Sequence, residues 1–159
     1  PRVEMAEMVS VRDMEKALSL LRRLYGVVVV DMPSALGDIS LALLDAADTI
    51  LEIVTYDSTT IRNTLAIAEA FRSIGYPASK VRYVVNRSDS TGGIAVEDLA
   101  LALGRVPEHA IVSDGKLVVQ CNNDGLPFVL VSPDAPISRD IAKIAAEVAG
   151  AAPVGAGRR

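Results

Sequence analysis

The chain has 159 residues, half of them hydrophobic, with few aromatic residues and no tryptophan, which suits an α/β domain with a sizeable core. Its net charge of −4 argues against a general nucleic-acid-binding surface. The single cysteine, Cys121, excludes an intramolecular disulfide, fits a reducing cytoplasmic compartment and is interpreted as structural. No apolar run is long enough to span a membrane, and the N-terminus lacks the layout of a signal peptide.

Strand and helix signals alternate along the chain. Ser10 and Asp13 resemble a capping box, which predicts a helix that ends at Gly26. The unbroken apolar run Val27–Val30 predicts a strand that reaches Asp31 and is covered on both faces. Further strands are predicted over residues 49–55, 81–85, 110–112 and 128–131. Further helices are predicted after a cap at Asp38 and between Ile61 and Gly75, Val96 and Gly104, Asp114 and Asn122, and Ile137 and Gly150.

This alternation predicts a three-layer α/β fold, with a mostly parallel sheet and helices on both faces. Residues 1–150 are expected to form one domain, and residues 151–159, which are small and rich in Pro and Gly, a flexible tail. Because the chain begins with Pro1 rather than Met, we expect it to be a processed or excised piece.

Two polar residues lie where ligands bind in open α/β sheets, at the carboxyl ends of predicted strands. Asp31 is placed for phosphate or metal chemistry, although a strand-end aspartate can also simply cap the next turn. Asn86 follows the strand over residues 81–85, where an asparagine is equally typical of a turn. The sequence has no spacing for a zinc site and no nucleophilic triad, and we interpret His109 as a surface or strand-start residue.

Glu52 is a carboxylate inside the predicted strand over residues 49–55. A buried carboxylate is unfavourable unless it is paired. Glu52 is therefore expected to form an ion pair or to lie on an exposed edge face, and the alternative is a proton or metal ligand.

Seven short segments then stand in a characteristic order. They are Tyr25–Pro33, Leu36–Asp38, Leu44–Thr49, Val54–Asp57, Ile61–Asn63, Val84–Arg87 and Gly125–Pro127. The ordered set resembles the MinD/ParA family of P-loop ATPases, and most of all its CpaE/TadZ branch, which is linked to pilus assembly. The resemblance covers nearly the whole chain, from about Leu18 to Val148.

The resemblance implies roles for six residues, with ATP and Mg²⁺ as cofactors. Asp31 corresponds to the Walker B carboxylate, which holds the hydration shell of Mg²⁺. Pro33 and Gly37 bound the switch that senses the γ-phosphate. Asn86 corresponds to the asparagine that reads adenine, with Arg87 and Asp114 beside the base.

One part of the family's pattern has no counterpart in the chain, the Gly-rich, Lys-containing phosphate loop. Gly115–Lys116 is followed by Leu117 and lacks the upstream glycine, while Ser90–Gly93 contains no lysine. The chain alone should therefore not hydrolyse ATP usefully, since that loop positions the phosphates and offsets their charge. We expect the loop upstream of Pro1. In the family its strand lies beside the Asp31 strand, so its absence predicts an apolar edge that favours a homodimer.

The implied function of the parent protein is to organise a pilus or secretion assembly, or partitioning, by ATP-dependent dimerisation. Its partners would be a second copy and pilus, secretion or polarity proteins, with no clear nucleic-acid surface. One alternative is a non-catalytic interaction or localisation module on the same fold. A second is a receiver-type phosphoacceptor domain that uses Asp31 and Thr55, but Pro33 follows too closely and no lysine closes a later strand.

Overall fold

The computed structural model describes residues 9–33, 36–90 and 96–150. The chain divides into two compact units, Pro1–Ile50 and Leu51–Arg159. The single domain over residues 1–150 stays a prediction, and the predicted tail over residues 151–159 lies outside the described residues.

The first unit contains two helices that pack together, α1 (Val11–Leu24) and α2 (Asp38–Ala46). The capping box at the start of α1 is confirmed, because the Asp13 amide donates to Ser10 Oγ and the Ser10 amide donates to the Asp13 carboxylate, both at 3.3 Å. The guanidinium of Arg22 donates to the Ala46 carbonyl at 2.9 Å and to both Asp48 carboxylate oxygens at 3.1 Å. These bonds fix the end of α1 to the end of α2.

The strand predicted over Val27–Asp31 is wrong. Residues 25–33 lie in no helix or strand, and the side chain of Val29 is 85% exposed. A strand needs a neighbouring ladder for its backbone groups, and no described segment pairs with this run. The predicted cap of α2 is also corrected: Gly37 is the N-cap, and Asp38 is the first helical residue.

The second unit holds the sheet, apart from the first residue of β1. Its strands are β1 (Ile50–Val54), β2 (Val81–Asn86) and β3 (His109–Ile111), in the order β1-β2-β3. Strands β2 and β3 are parallel, with Val84 opposite His109 and Asn86 opposite Ile111. All three strands lie within a few residues of their predicted positions. β1 and β2 are short runs rich in β-branched residues and bounded by turn residues, whereas β3 is only three residues long.

The helices of the second unit are α3 (Ser58–Ile74), α4 (Val96–Leu103), α5 (Gly115–Asp124), α6 (Phe128–Val131) and α7 (Pro136–Val148), with a 3₁₀ turn over Ala78–Lys80. The predicted stop of α3 is confirmed, since Gly75 adopts a left-handed φ of 89° that only glycine adopts without strain.

The strand predicted over residues 128–131 is wrong, because Phe128–Val131 forms the single helical turn α6. Pro127 precedes the turn, and its carbonyl accepts from the amides of Leu130 and Val131 at 3.0 and 3.2 Å. A short apolar run is compatible with either structure.

The core of the second unit lies where β2 and β3 meet α7. Its buried members are Val84, Ile111, Ile137 and Ile144. His109 is also buried, at the start of β3, so the expectation of a surface residue is wrong while that of a strand-start residue is confirmed. Among the described residues, no helix has the length and apolar character needed to cross a membrane.

Candidate functional site

The chain makes a tight turn as it leaves β2. Asn86 Oδ1 accepts from the Arg87 amide at 3.0 Å, and the Ser88 amide donates to the Ile111 carbonyl at 2.9 Å. Arg87 has a φ of 54°, in the left-handed region that is uncommon for a residue other than glycine. Such backbone strain clusters at ligand sites. After the turn the chain passes the end of β3. The segments that follow β2 and β3 therefore lie at the same edge of the sheet.

Three carboxylates hold backbone amides of the loop after β3 and of the first turn of α5. Asp140, on α7, accepts from the Val112 amide at 3.0 Å. Asp89, in the turn after β2, accepts from the Ser113 amide at 2.7 Å. This backbone hydrogen bond is the main reason why the pKa of Asp89 lies below its ordinary value.

The third carboxylate belongs to Asp114, the N-cap of α5, which accepts from the Leu117 amide at 3.0 Å. Three backbone donors of this edge are thus held by side-chain oxygens. Each ionised carboxylate has further lone pairs after accepting one bond. The edge therefore presents mainly acceptors to a ligand.

A cleft of about 280 Å³ opens beside this loop. Its walls combine polar groups with apolar surface: Asp89, Val112, Ser113, Asp114, Pro136 and Ile137. This volume lies just below the range of about 300–1,000 Å³ that is typical of pockets for drug-sized ligands, so it suits a fragment such as one planar ring. Apolar walls next to carboxylate acceptors favour a ring that carries N–H donors.

The residues predicted to contact adenine lie at this edge, but they do not contribute equally to the cleft. Asn86 ends β2, Arg87 follows it, and Asp114 follows β3. Of these, only Asp114 lines the cleft. The Arg87 side chain is exposed, and the Asn86 carbonyl oxygen is engaged in the turn, as the turn-forming alternative requires.

Asp89 and Asp140 were not among the predicted site residues. Asp140 nevertheless had a sequence signal, because it lies three residues after Ile137 and four before Ile144, on the apolar face of α7. An acid at such a position indicates a polar partner in the core. Asp89 had no comparable signal, since aspartates are common in turns.

The predicted phosphate-side residues belong to the first unit. Asp31 and Pro33 are exposed and lie outside any helix or strand. Gly37 caps α2, and its carbonyl accepts from the Leu41 amide at 2.9 Å. The switch residues Ser34 and Ala35 lie outside the described residues. In the parts of the chain that the structure describes, no three or more His, Cys, Asp or Glu side chains cluster as metal ligands.

Two further carboxylates near β1 have opposite properties. Asp57 caps α3 and accepts from the hydroxyls of Thr55 and Thr60, both at 2.5 Å, and these bonds hold its pKa well below the ordinary value. Burial instead raises the pKa of Glu52, which lies on β1 between Leu51 and Ile53. Because side chains alternate along a strand, Glu52 lies on the same face of β1 as the buried Ile50 and Val54.

Comparison with known proteins identifies the fold. No family model matches the chain. It is similar to an uncharacterized ATP-binding protein of Methanocaldococcus jannaschii, with 26% identity over 140 residues, which are 87% of this chain and 52% of that protein.

Similar solved structures include a ParA family ATPase from Chlorobium tepidum, with a TM-score of 0.82 and 16% identity over 88% of this chain and 57% of that one. The cell division protein MinD of Aquifex aeolicus, in complex with MinC, has a TM-score of 0.75 and 20% identity over 94% of this chain and 63% of that one. The chain thus spans between half and two thirds of these proteins. The α/β fold of ParA and MinD ATPases, predicted from the sequence, is confirmed.

Proposed function

We propose that this chain is the nucleotide-base-binding part of an ATPase of the MinD/ParA type, related to the CpaE/TadZ branch. The observation that carries the proposal is the cleft beside the loop after β3, at the carboxyl edge of β2 and β3 on a ParA/MinD fold. Ligands of open α/β sheets bind at such edges. The ATP-binding relative favours a nucleotide as the ligand.

In this proposal each predicted site residue keeps a distinct task. Asn86 offers its side-chain NH₂ to the base, because its carbonyl oxygen already accepts from the Arg87 amide. Asp114 offers the lone pairs that remain beside its capping bond, and Arg87 lies next to the base. Asp31 would hold Mg²⁺ through water, with Pro33 and Gly37 bounding the γ-phosphate switch. A carboxylate that acts through water needs no cluster of direct ligands.

The chain by itself is proposed to bind the base without hydrolysing ATP, because its sequence contains no Gly-rich, Lys-containing phosphate loop. Hydrolysis would belong to the parent protein. Its role would be the ATP-dependent dimerisation of a cytoplasmic switch that organises a pilus, secretion or partitioning assembly. The partners would be a second copy and proteins of that assembly.

The test is calorimetric titration of Mg-ATP into the chain and into three single variants. Binding with a dissociation constant in the micromolar range corresponds to about −8 kcal/mol. Asn86→Ala should weaken binding at least about tenfold, or about 1.4 kcal/mol. Asp31→Ala should change little if the base supplies the affinity. Asn123→Ala is the matched control, since this exposed asparagine lies at the opposite end of α5 from Asp114.

Equal affinities of Asn86→Ala and the wild type would refute base reading by Asn86. No binding up to millimolar Mg-ATP would favour the second candidate, a non-catalytic interaction or localisation module on the same fold. The exposed position of Asp31, outside any strand, is the observation that supports this candidate.

A further inference from the structure

Asp89 is an exposed carboxylate in the wall of the cleft. It follows Asn86 by three residues and belongs to the turn in which the Ser90 amide donates to the Arg87 carbonyl at 3.0 Å. All six residues that line the cleft lie in the second unit. Because Asn86 directly precedes this short turn, the local backbone holds Asn86 and Asp89 close together.

The Asp89 carboxylate is fixed in position but can accept further hydrogen bonds. Its Oδ1 accepts from the Ser113 amide at 2.7 Å, which joins the turn after β2 to the loop after β3. This bond is the main reason why the pKa of Asp89 is lowered, so the side chain is ionised at neutral pH and acts only as an acceptor. Because an ionised carboxylate has about four lone-pair sites, Asp89 can also accept from a ligand in the cleft.

The side chain of Asn86 offers a donor to the base, so a second group has to supply the acceptor. Asn86 Oδ1 accepts from the Arg87 amide at 3.0 Å, which directs this oxygen toward the backbone of the turn. The NH₂ group is left to donate to a ring nitrogen. In adenine the amine at C6 stands between the ring nitrogens N1 and N7, so a group that donates to either nitrogen has the amine beside it. Along the chain, the first carboxylate after Asn86 that lines the cleft is that of Asp89.

We propose that Asp89 determines the base specificity of the cleft, because its carboxylate accepts a hydrogen bond from the exocyclic amine of adenine. This inference rests on the proposed function, since it assigns a specificity to the same site. The amine has two N–H bonds, so Asp114, which also lines the cleft, can accept the second. Hypoxanthine and guanine have a carbonyl oxygen at the same position. That oxygen would face an ionised carboxylate with no donor between them, which is unfavourable.

The test is calorimetric titration of the whole chain with three nucleotides in the presence of Mg²⁺. They are ATP, purine riboside triphosphate, which lacks the amine, and ITP, in which a carbonyl oxygen replaces it. The wild type should bind ATP at least about tenfold more tightly than either analogue, because it loses a hydrogen bond to a charged group with both. Asp89→Asn should weaken the binding of ATP at least about tenfold. It should leave the binding of purine riboside triphosphate unchanged within about twofold.

Asparagine is the substitution of choice because its Oδ1 can still accept from the Ser113 amide, which keeps the bond to the loop after β3. Its NH₂ group can donate to the carbonyl oxygen of ITP, so the preference for ATP over ITP should fall at least about tenfold. A variant that only disturbed the loop would weaken all three nucleotides by the same factor. Asp124→Asn is the matched control, since this exposed aspartate lies at the opposite end of α5 from Asp114, and it should keep the wild-type preference. Urea unfolding checks that each variant is folded.

Three results would overturn the proposal. The first is a wild type that binds either analogue as tightly as ATP. The second is an Asp89→Asn variant that weakens all three nucleotides equally, which would give Asp89 a purely structural role. The third is an Asp89→Asn variant with the affinities of the wild type. In each of these cases the chain still binds a nucleotide, so the proposed function would stand without this assignment. Absence of Mg-ATP binding up to millimolar concentration would instead refute the proposed function, and the role of Asp89 with it.

Discussion

The hydrogen bond between Asp140 and the Val112 amide allows a quantitative test of how the candidate site is held. At 3.0 Å the contact lies within the normal range for an N–H···O bond. A hydrogen bond to a charged group contributes about 1.5–3 kcal/mol, and the partial burial of Asp140 favours the lower part of this range. Asp140→Ala should therefore lower the free energy of unfolding by about 2 kcal/mol.

Asp140→Asn removes the charge of this side chain but keeps its size and an acceptor oxygen, so it measures what the charge contributes to the hydrogen bond. The amide oxygen can still accept from Val112, but a neutral hydrogen bond contributes only about 0.5–1.5 kcal/mol. We expect a loss of about 1 kcal/mol for this variant, half that of the alanine variant. Asp134→Ala is the control, because its carboxylate is exposed and lies 3.8 Å from Arg139, and such surface pairs contribute little.

The assay is urea unfolding, in which the midpoint should shift while the slope stays constant. For a chain of this size, each 1 kcal/mol corresponds to about 2–4 °C in the melting temperature. Equal losses for Asp140→Ala and Asp140→Asn would contradict a charge-assisted bond. A loss no larger than that of Asp134→Ala would mean that Asp140 does not hold the loop.

Substitutions at four further residues test single groups by urea unfolding, with calorimetry added for Asp114. Asp57→Ala should be less stable than the wild type at neutral pH, and the difference should shrink below about pH 4, because the lowered pKa of Asp57 contributes stability only while the carboxylate is ionised. Glu52→Gln should be more stable than the wild type at neutral pH, because burial raises the pKa of Glu52 and disfavours its charge; the gain should vanish below about pH 4. His109→Leu should raise stability by about 1 kcal/mol, because both buried ring nitrogens lack a hydrogen-bond partner among the described residues and the Glu147 carboxylate lies 3.7 Å from Nε2, beyond hydrogen-bond distance. Asp114→Ala should lose about 1 kcal/mol with its helix cap, whereas Asp114→Asn keeps the cap and should lose only Mg-ATP affinity in calorimetry.

Each of these predictions has a contrary result. A difference for Asp57→Ala that does not shrink at all as the pH falls below about 4 would show that the charge is not responsible. A gain for Glu52→Gln that persists at pH 3 would assign it to packing. A loss in His109→Leu would show that the ring is stabilised by the nearby Glu147 carboxylate. Unchanged Mg-ATP affinity in Asp114→Asn would remove this carboxylate from the base site.

Local sequence patterns predicted the structure correctly where it depends on residues close together in the sequence. The capping box at Ser10 and the stop at Gly75 involve residues only a few positions apart, and both are confirmed. The strand at Val27–Val30 failed for the opposite reason: its composition favours a strand, but a strand also requires a partner from elsewhere in the chain. The burial of His109 likewise depends on packing between distant segments.

The same distinction between local and long-range contacts explains which parts of the candidate site could be predicted. That Asn86 and Asp114 follow strands could be read from the sequence, and the ends of parallel strands meet at one edge of a sheet. The carboxylates that hold the backbone at this edge could not be predicted from the sequence in the same way. Asp140 is 28 residues from Val112, and Asp89 is 24 from Ser113. Only the apolar neighbours of Asp140 on α7 indicated that it has a polar partner in the core.

The carboxylate bonds at this edge also limit which ligand it can accept. The amides of Val112, Ser113 and Leu117 are engaged by carboxylates, so they are not available to bind an anion such as phosphate. What the edge can offer is carboxylate lone pairs and the side-chain NH₂ of Asn86, the carbonyl of which is engaged by Arg87. A ring with both an exocyclic amine and a ring-nitrogen acceptor matches this pair of groups, whereas a phosphate would meet negative charge. In the proposed function this edge would take the base, and the phosphates would require donors from elsewhere.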